Sequence, residues 1–187
     1  MRIEVNVPSA TYTVVLSDAG LHDLGRCIRA EVANVSKVIV VADEFISEHY
    51  GSVIRKTMAD AGIEFSILPV RGGEASKTVQ VWAEVVGQVL EAGVDRSTPI
   101  IALGGGSVGD LAGFVAATVM RGVPLVQVPT TLLSMVDSSV GGKTGLNTKH
   151  GKNLVGAFYQ PKLVHAPLAT LLTLDEGEYR SGLGEVL

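Results

Sequence analysis

Residues 138–145, SSVGGKTG, place a lysine and a threonine directly after two glycines, as the end of a nucleoside-triphosphate loop does. That loop, G-x-x-x-x-G-K-[ST], requires a glycine five residues before Gly142, where this chain has Asp137. A carboxylate at that position would face the phosphate oxygens that the amides of the loop should bind. The pattern excludes an ATP or GTP loop, so Lys143 requires another role.

A second glycine-rich stretch, Gly104–Asp110 (GGGSVGD), satisfies G-x-G-x-x-G between a predicted strand and a predicted helix. Glycines at such a turn let backbone amides approach a pyrophosphate at the positive end of the helix. The turn follows a later strand than in the common dinucleotide fingerprint, and no acidic residue comes about 20 positions afterwards. Asp43 ends an earlier parallel strand at the same edge, where ribose binding and helix N-capping both remain open.

Three further charged residues belong to the same predicted edge. Glu74 and Lys77, in GGEASKT, have the spacing of a helix-start acid and its ion-pair partner. Asp110 is predicted in the first turn of a helix, where the helix dipole favours a carboxylate whatever its function. Their clustering at the carboxyl ends of parallel strands predicts a ligand site, because ligands bind there in such sheets.

The elements that must position these residues alternate along the chain. Residues 2–7 and 11–17 predict a hairpin, after which apolar runs typical of buried parallel strands alternate with helical periodicity. The predicted strands are 37–43, 63–70, 98–106 and 124–129, and the predicted helices are 20–33, 46–61, 76–92 and 108–119. The pattern predicts an α/β fold, a Rossmann-like parallel sheet with flanking helices.

Composition narrows the class of protein. A net charge of −4 without a basic cluster argues against a nucleic-acid partner, and the longest apolar runs are too short to span a membrane. The start of the chain predicts no signal peptide, and the single cysteine, Cys27, suits a reducing compartment. We therefore expect a cytoplasmic protein.

The segment 104–161 closely resembles the 3-dehydroquinate synthases, a family of sugar-phosphate cyclases. PTTLL, MVDSSVGGKTG and GKNLVGAF occur in that order and spacing, and the resemblance extends outward to GGEASKT and SGLGEVL. It implies the NAD-binding domain of a two-domain enzyme whose helical C-terminal domain is missing, with residues 1–169 in the first domain and 170–187 beginning the second. It also implies a homodimer.

The resemblance also implies the roles of individual residues. Contacts to NAD are implied for Asp43, Glu74, Lys77, Gly105, Gly106, Ser107, Asp110, Thr130, Thr131, Leu133, Asp137, Lys143, Lys152, Thr170, Thr173 and Leu174. Catalytic roles are implied for Asp137, Lys143, Lys152 and Asn153, of which the last three, with Arg121, also bind the sugar-acid phosphate substrate. Arg121 would reach the phosphate site of a neighbouring subunit, and Glu185 would ligate zinc or cobalt.

The implied reaction converts 3-deoxy-D-arabino-heptulosonate 7-phosphate to 3-dehydroquinate and phosphate. Lys143 and Lys152 would then be cations for a carboxylate- and phosphate-bearing substrate, since buried anions need charge-assisted partners. NAD would oxidise one hydroxyl transiently, and this acidifies the neighbouring C–H and makes phosphate elimination possible.

Departures from the family pattern bear on activity. The chain stops at Leu187, before the family's two histidine metal ligands, so we predict that these 187 residues alone are inactive. His22, His49 and His165 are interpreted as ordinary surface or edge residues, whereas His150 lies beside Lys152 in a predicted ligand loop. Phe45 stands where some relatives carry an asparagine, which leaves the contacts to adenosine open, and Ala166 stands where relatives usually have an aspartate.

Two alternatives to the cyclase remain. A metal-dependent polyol dehydrogenase would share the glycine turn but give no reason for Lys143, Lys152 and Asn153 in one polar loop. A non-catalytic nucleotide-binding or dimerisation module would need neither a substrate nor a metal.

Overall fold

The computed structural model describes residues 1–186 of the chain. Within this range the chain forms one seven-stranded sheet, a separate two-stranded hairpin and five α-helices. The strands are β1 (Arg2–Val7), β2 (Ala10–Ser17), β3 (Lys37–Asp43), β4 (Glu64–Val70), β5 (Ile100–Gly104), β6 (Leu125–Pro129), β7 (Lys143–Thr148), β8 (Gly151–Phe158) and β9 (Leu163–Pro167). The helices are α1 (Leu24–Glu31), α2 (Glu44–Asp60), α3 (Val79–Glu91), α4 (Gly106–Thr118) and α5 (Glu176–Val186).

The large sheet has the strand order β1-β2-β9-β6-β5-β3-β4. Among the described strands of this sheet, only the β1–β2 pair is antiparallel, and the other neighbouring pairs are parallel. The chain passes from β3 outward to β4 and then returns across β3 to form β5. The connections that follow β3 and β5 therefore run in opposite directions. Ligands of open α/β sheets bind in the crevice between two such strands, at their carboxyl ends.

Strand β3 is buried on both faces, because successive side chains point to opposite sides of the sheet. Val38 and Val40 pack with α1 and α2 in one core, whereas Ile39 and Val41 pack with α3 and α4 in the other. The continuous apolar run KVIVVA follows from this two-sided burial.

The predicted α/β fold with a parallel sheet and flanking helices is confirmed, with differences at element ends. Helix α1 begins at Leu24 rather than at residue 20, since residues 18–23 form turns. Helix α4 begins at Gly106, so Asp110 lies in its second turn and the prediction of a first-turn carboxylate was wrong.

The sequence interpretation missed three strands. Strands β7 and β8, predicted as a polar loop, form an antiparallel hairpin, and Leu146 of β7 packs in the core beside α4. Lys143 begins β7 rather than a helix, which agrees with the rejection of a nucleotide-triphosphate loop. Strand β9 inserts between β2 and β6 and is buried throughout.

Beyond β9, the chain forms a 3₁₀-helical segment, Leu168–Thr173, and then α5. Leu187, the end of the predicted second domain, lies outside the described residues. The boundary predicted at residues 169 and 170 stays a prediction. No helix within residues 1–186 is both long and apolar enough to cross a membrane.

Candidate active site

A cleft of about 790 Å³ opens at the carboxyl ends of β3, β5 and β6. Its walls come from the start of α4, the 73–77 segment, the 130–138 segment and the 3₁₀ segment 170–173. The site residues predicted from the sequence that line it are Asp43, Glu74, Lys77, Gly105, Gly106, Ser107, Asp110, Thr130, Thr131, Leu133, Asp137, Asn153, Thr170, Thr173 and Leu174. Their predicted clustering at one edge of the sheet is therefore observed.

The floor of the cleft is the glycine turn at the start of α4. Gly105 is the N-cap residue, and the first-turn N–H groups of a helix have no partners within the helix, so they can bind an anion. A side chain at Gly106 would come within 2.8 Å of Ser138 Oγ and would fill the space in front of these amides. Ser107 Oγ accepts a hydrogen bond of 3.1 Å from the amide of Gly73, which ties the opposite wall to the helix.

Lys77 is the buried cation of the cleft, with only 3% of its surface exposed. Its Nζ donates hydrogen bonds to Asp110 Oδ2 at 2.6 Å and to Asn153 Oδ1 at 2.7 Å. Glu74 Oε1 lies 3.7 Å away and forms the ion pair that the sequence predicted. A buried ammonium is stable only when such partners replace its hydration.

The two carboxyl groups beside Lys77 have pKa values shifted in opposite directions. Burial raises the pKa of Asp110 above its usual range, with Lys77 opposing the shift. A hydrogen bond from Asn147 lowers the pKa of Glu74, which burial opposes and which Lys77 and Lys152 reinforce. The difference follows from position, since Asp110 lies inside the cleft wall and Glu74 is half-exposed at its rim.

Asn147 is a residue of this site that the sequence interpretation missed. The backbone N–H of Asn147 donates to the backbone oxygen of Lys77 at 2.7 Å, and its side-chain Nδ2 donates to Glu74 Oε2 at 2.8 Å. Its Oδ1 accepts a hydrogen bond of 3.1 Å from the amide of Asn153, whose φ of 56° is left-handed. Asn147 thus joins the β7–β8 hairpin to the 73–77 segment and holds Asn153 towards Lys77. Recognising the hairpin from the GKTGLNT and GKNLVGAF stretches would have pointed to it.

Asp43 has the capping role that was one of its two interpretations. Its Oδ1 accepts hydrogen bonds from the amides of Phe45 at 2.9 Å and Ile46 at 3.4 Å, which makes it the N-cap of α2. Asp43 also lines the cleft, so the structure leaves a contact to a ligand possible. Phe45 is exposed at the cleft mouth and stacks on His49.

The opposite wall consists of short hydroxyl-bearing segments. Thr131 Oγ1 exchanges hydrogen bonds with Ser134. Thr170 Oγ1 donates to Pro167 O at 2.8 Å, and Thr173 Oγ1 lies 3.0 Å from the hydroxyl of Tyr50. These bonds order the wall and leave polar groups along the cleft.

Four predicted site residues lie elsewhere. Lys143 lines an adjoining hollow that shares Asp110, Asp137 and Asn153 with the cleft, and Lys152 is exposed 3.6 Å from Glu74. Arg121 follows the far end of α4, at the amino edge of the strands, with a left-handed φ of 66°. Glu185 is exposed on α5.

The interpretation of one histidine was wrong. His22, His49 and His150 are exposed, but His165 is fully buried on the central strand β9. Its position could not be inferred because β9 itself was not predicted.

Comparison with known proteins adds family information to this geometry. The family model described as 3-dehydroquinate synthase N-terminal matches residues 67–181. A curated 3-dehydroquinate synthase of Pelobacter propionicus is 44% identical over 186 residues, which cover 99% of this chain and 51% of that protein. The chain spans about half the length of the curated relatives it matches.

Two solved structures share the fold closely. A 2-deoxy-scyllo-inosose synthase complexed with carbaglucose-6-phosphate, NAD⁺ and Co²⁺ superposes with a TM-score of 0.88 at 26% identity, covering 98% of this chain and 49% of that one. The 2-epi-5-epi-valiolone synthase of Streptomyces hygroscopicus subsp. jinggangensis, with NAD⁺ and Zn²⁺ bound, gives a TM-score of 0.85 at 30% identity. The match covers 98% of this chain and 50% of that structure.

Proposed function

The chain belongs to the 3-dehydroquinate synthase family, and from that premise we propose that it is the NAD-binding half of a 3-dehydroquinate synthase. The reaction is the conversion of 3-deoxy-D-arabino-heptulosonate 7-phosphate to 3-dehydroquinate and phosphate. The observation that carries the proposal is the cleft in which Lys77, Asp110 and Asn153 meet in front of the glycine turn.

The residues present fit NAD. The N-terminus of α4 supplies amides for a pyrophosphate, and Gly106 leaves open the space that a side chain would fill beside Ser138. Asp43, at the end of β3, is placed for a ribose hydroxyl. NAD held there would supply a hydride acceptor for the C–H of one substrate carbinol and, once reduced, a hydride donor later in the same turnover.

The chain's own residues hold and orient the reactants. Lys77 is fixed by Asp110 and Asn153, so it links the 73–77 segment to α4 and to β8. Lys143 in the adjoining hollow and Lys152 at the rim provide mobile ammonium groups for the carboxylate and phosphate of the substrate. Asp137 lines both the cleft and the hollow, which supports a role for it where cofactor and substrate would meet.

Arg121 supports the proposal of a homodimer. It lies at the sheet edge opposite the cleft, so it contributes to a phosphate site only if a second subunit brings its own cleft there. A guanidinium suits that role because its planar fork matches phosphate oxygens.

A divalent metal at Glu185 does not fit the described residues. The one group of metal-capable side chains found within residues 1–186 lies elsewhere and does not include Glu185. We therefore assign no step to a metal at Glu185 and expect no phosphate release from the 187-residue chain alone.

Calorimetric titration of the chain with NAD⁺ tests the proposal. We expect saturable binding that is weakened at least tenfold in Lys77→Met, with Lys152→Met as the matched control that retains most of the affinity. A flat titration would favour a purely structural module. Reduced nicotinamide formed from glycerol, without phosphate chemistry, would favour a polyol dehydrogenase.

A further inference from the structure

A second polar cluster lies on the α1 side of the sheet and comprises Asp23, Cys27 and His165. His165 Nε2 is 2.9 Å from Asp23 Oδ1, and Cys27 Sγ is 3.8 Å from Asp23 Oδ2. One potential ligand atom from each residue lies within 4.8 Å of the other two. None of the three is used in the proposed function.

The fold brings these residues together from distant parts of the chain. Asp23 precedes α1 and Cys27 follows one helical turn later, so both side chains share a helix face. Strand β9 then places His165 opposite that face, beside Val15 of β2. The tertiary structure, rather than a local motif, creates the cluster.

His165 is a costly residue at this position. Its side chain is fully buried, and its Nδ1 has no hydrogen-bond partner among the described residues. The neighbouring residues of β9, Val164 and Ala166, are apolar, and an apolar side chain would avoid an unsatisfied ring nitrogen. The other ring nitrogen, Nε2, faces the carboxylate of Asp23 close to the Cys27 thiol, so three groups that can ligate a metal converge at this buried point.

The donor set identifies the class of ligand. Sulfur, imidazole nitrogen and carboxylate oxygen together are typical ligands of Zn²⁺, which binds them at about 2.0–2.3 Å. In tetrahedral geometry the donors are then roughly 3.3–3.8 Å apart. His165 Nε2 lies 2.9 Å from Asp23 Oδ1, Cys27 Sγ lies 3.8 Å from Asp23 Oδ2, and the three ligand atoms all lie within 4.8 Å of one another, so side-chain adjustment brings them to these separations.

We propose that Asp23, Cys27 and His165 bind a zinc-class divalent ion that ties the start of α1 to β9. A hollow of about 430 Å³, lined by Asp23, Cys27 and Arg26 among others, adjoins the cluster and gives an ion and a fourth, water ligand access. Because a metal ion binds the thiolate form of cysteine, binding at Cys27 releases the thiol proton.

Cobalt titration of the whole chain tests this site, because Cys27 is the only cysteine of the sequence. We expect one equivalent of Co²⁺ to produce tetrahedral visible bands and a thiolate-to-cobalt charge-transfer band, both displaced by Zn²⁺. Cys27→Ser should abolish the charge-transfer band, and His165→Val should weaken binding by more than about 100-fold, beyond the loss typical of an outer-shell partner.

Matched controls separate this site from others. His22→Gln removes an exposed histidine near the cluster, and Glu185→Gln removes the residue matching the family's metal ligand; both should retain the full band. Absence of the charge-transfer band in the wild-type chain would overturn the proposal, as would its survival at unchanged affinity in His165→Val. Circular dichroism checks that each variant is folded.

Discussion

The Lys77–Asp110 and His165–Asp23 pairs are both largely buried, on different sides of the sheet, but their polar atoms are satisfied to different extents. Lys77 in the cleft is charged and has three oxygen-bearing partners, Asp110, Asn153 and Glu74. His165, on the α1 side, has one nitrogen bound to Asp23 and the other unsatisfied within the described chain. Burial lowers the pKa of His165 despite Asp23, so this pair avoids a buried cation.

This difference in hydrogen bonding indicates different roles for Lys77 and His165. A lysine held by three partners organises the elements around it, because the charge of the buried ammonium is balanced mainly by Asp110 and its remaining donors are satisfied by Asn153 and Glu74. A neutral imidazole held by a single hydrogen bond leaves one nitrogen unsatisfied, and we assign its Nε2, together with Asp23 and Cys27, to metal binding. The following experiments compare the two regions.

Lys77→Met is expected to lower the free energy of unfolding more than any other substitution considered. Loss of the ammonium leaves the mostly buried carboxylate of Asp110 without its partner, which typically costs about 3–5 kcal/mol. Urea unfolding measures the free energy directly. Lys152→Met is the control, since its exposed ion pair should contribute less than about 1 kcal/mol. Equal effects of the two variants would contradict the account of the cleft.

Gly106→Ala separates ligand binding from stability in the cleft. The added methyl group would lie near Ser138 Oγ and in front of the α4 amides, so we expect NAD⁺ affinity to fall about tenfold, or about 1.4 kcal/mol. Calorimetry measures the affinity. Gly184→Ala on the exposed face of α5, where a methyl group meets open space, should leave affinity unchanged and raise stability by up to about 1 kcal/mol. Unchanged NAD⁺ affinity in Gly106→Ala would place the pyrophosphate elsewhere.

His165→Val should have a smaller effect on stability than Lys77→Met when a chelator keeps the chain free of metal. The valine removes the unsatisfied Nδ1 but also one hydrogen bond to Asp23, and such exchanges are often close to neutral. We expect the free energy of unfolding to change by less than about 1.5 kcal/mol, measured by urea unfolding. A loss matching that of Lys77→Met would contradict this account, because the imidazole would then stabilise the fold as strongly as the lysine does.

The smallest change in stability is expected from Asn147→Ala at the cleft rim. Asn147→Ala removes the hydrogen bond that lowers the pKa of Glu74, so this pKa should rise towards that of a free glutamate, as measured by carbon NMR titration. A lowered pKa stabilises the fold above the usual glutamate pKa, and this contribution disappears as pH falls through the folded-state value.

The variant should therefore lose less stability on acidification than the wild type, by under about 1 kcal/mol because Glu74 is half-exposed. Asn6→Ala, which removes a distant asparagine beside Glu4, is the control and should leave the Glu74 pKa unchanged. An unchanged Glu74 pKa in Asn147→Ala would mean that the lysines alone depress it.

Much of the cleft could be predicted because its residues follow local signals. A buried apolar run ending in Asp43 and another ending in Gly104 locate two strand ends, and parallel strands bring such ends to one edge. The partners of Lys77 could not be predicted in the same way, since Asp110 and Asn153 are 33 and 76 residues away.

The amino-acid sequence by itself determined the alternation of strands and helices, the edge at which the site lies and the glycine turn with Asp43, Glu74, Lys77 and Asp110 near it. Those features depend on periodicity and on glycine turns, which act between neighbouring residues. Only the tertiary structure decided that β9 inserts between β2 and β6, that Lys77 is buried while Lys152 is exposed, and that His165 meets Asp23 and Cys27. These outcomes depend on which distant segments pack together, because burial and long-range hydrogen bonding are properties of the whole fold.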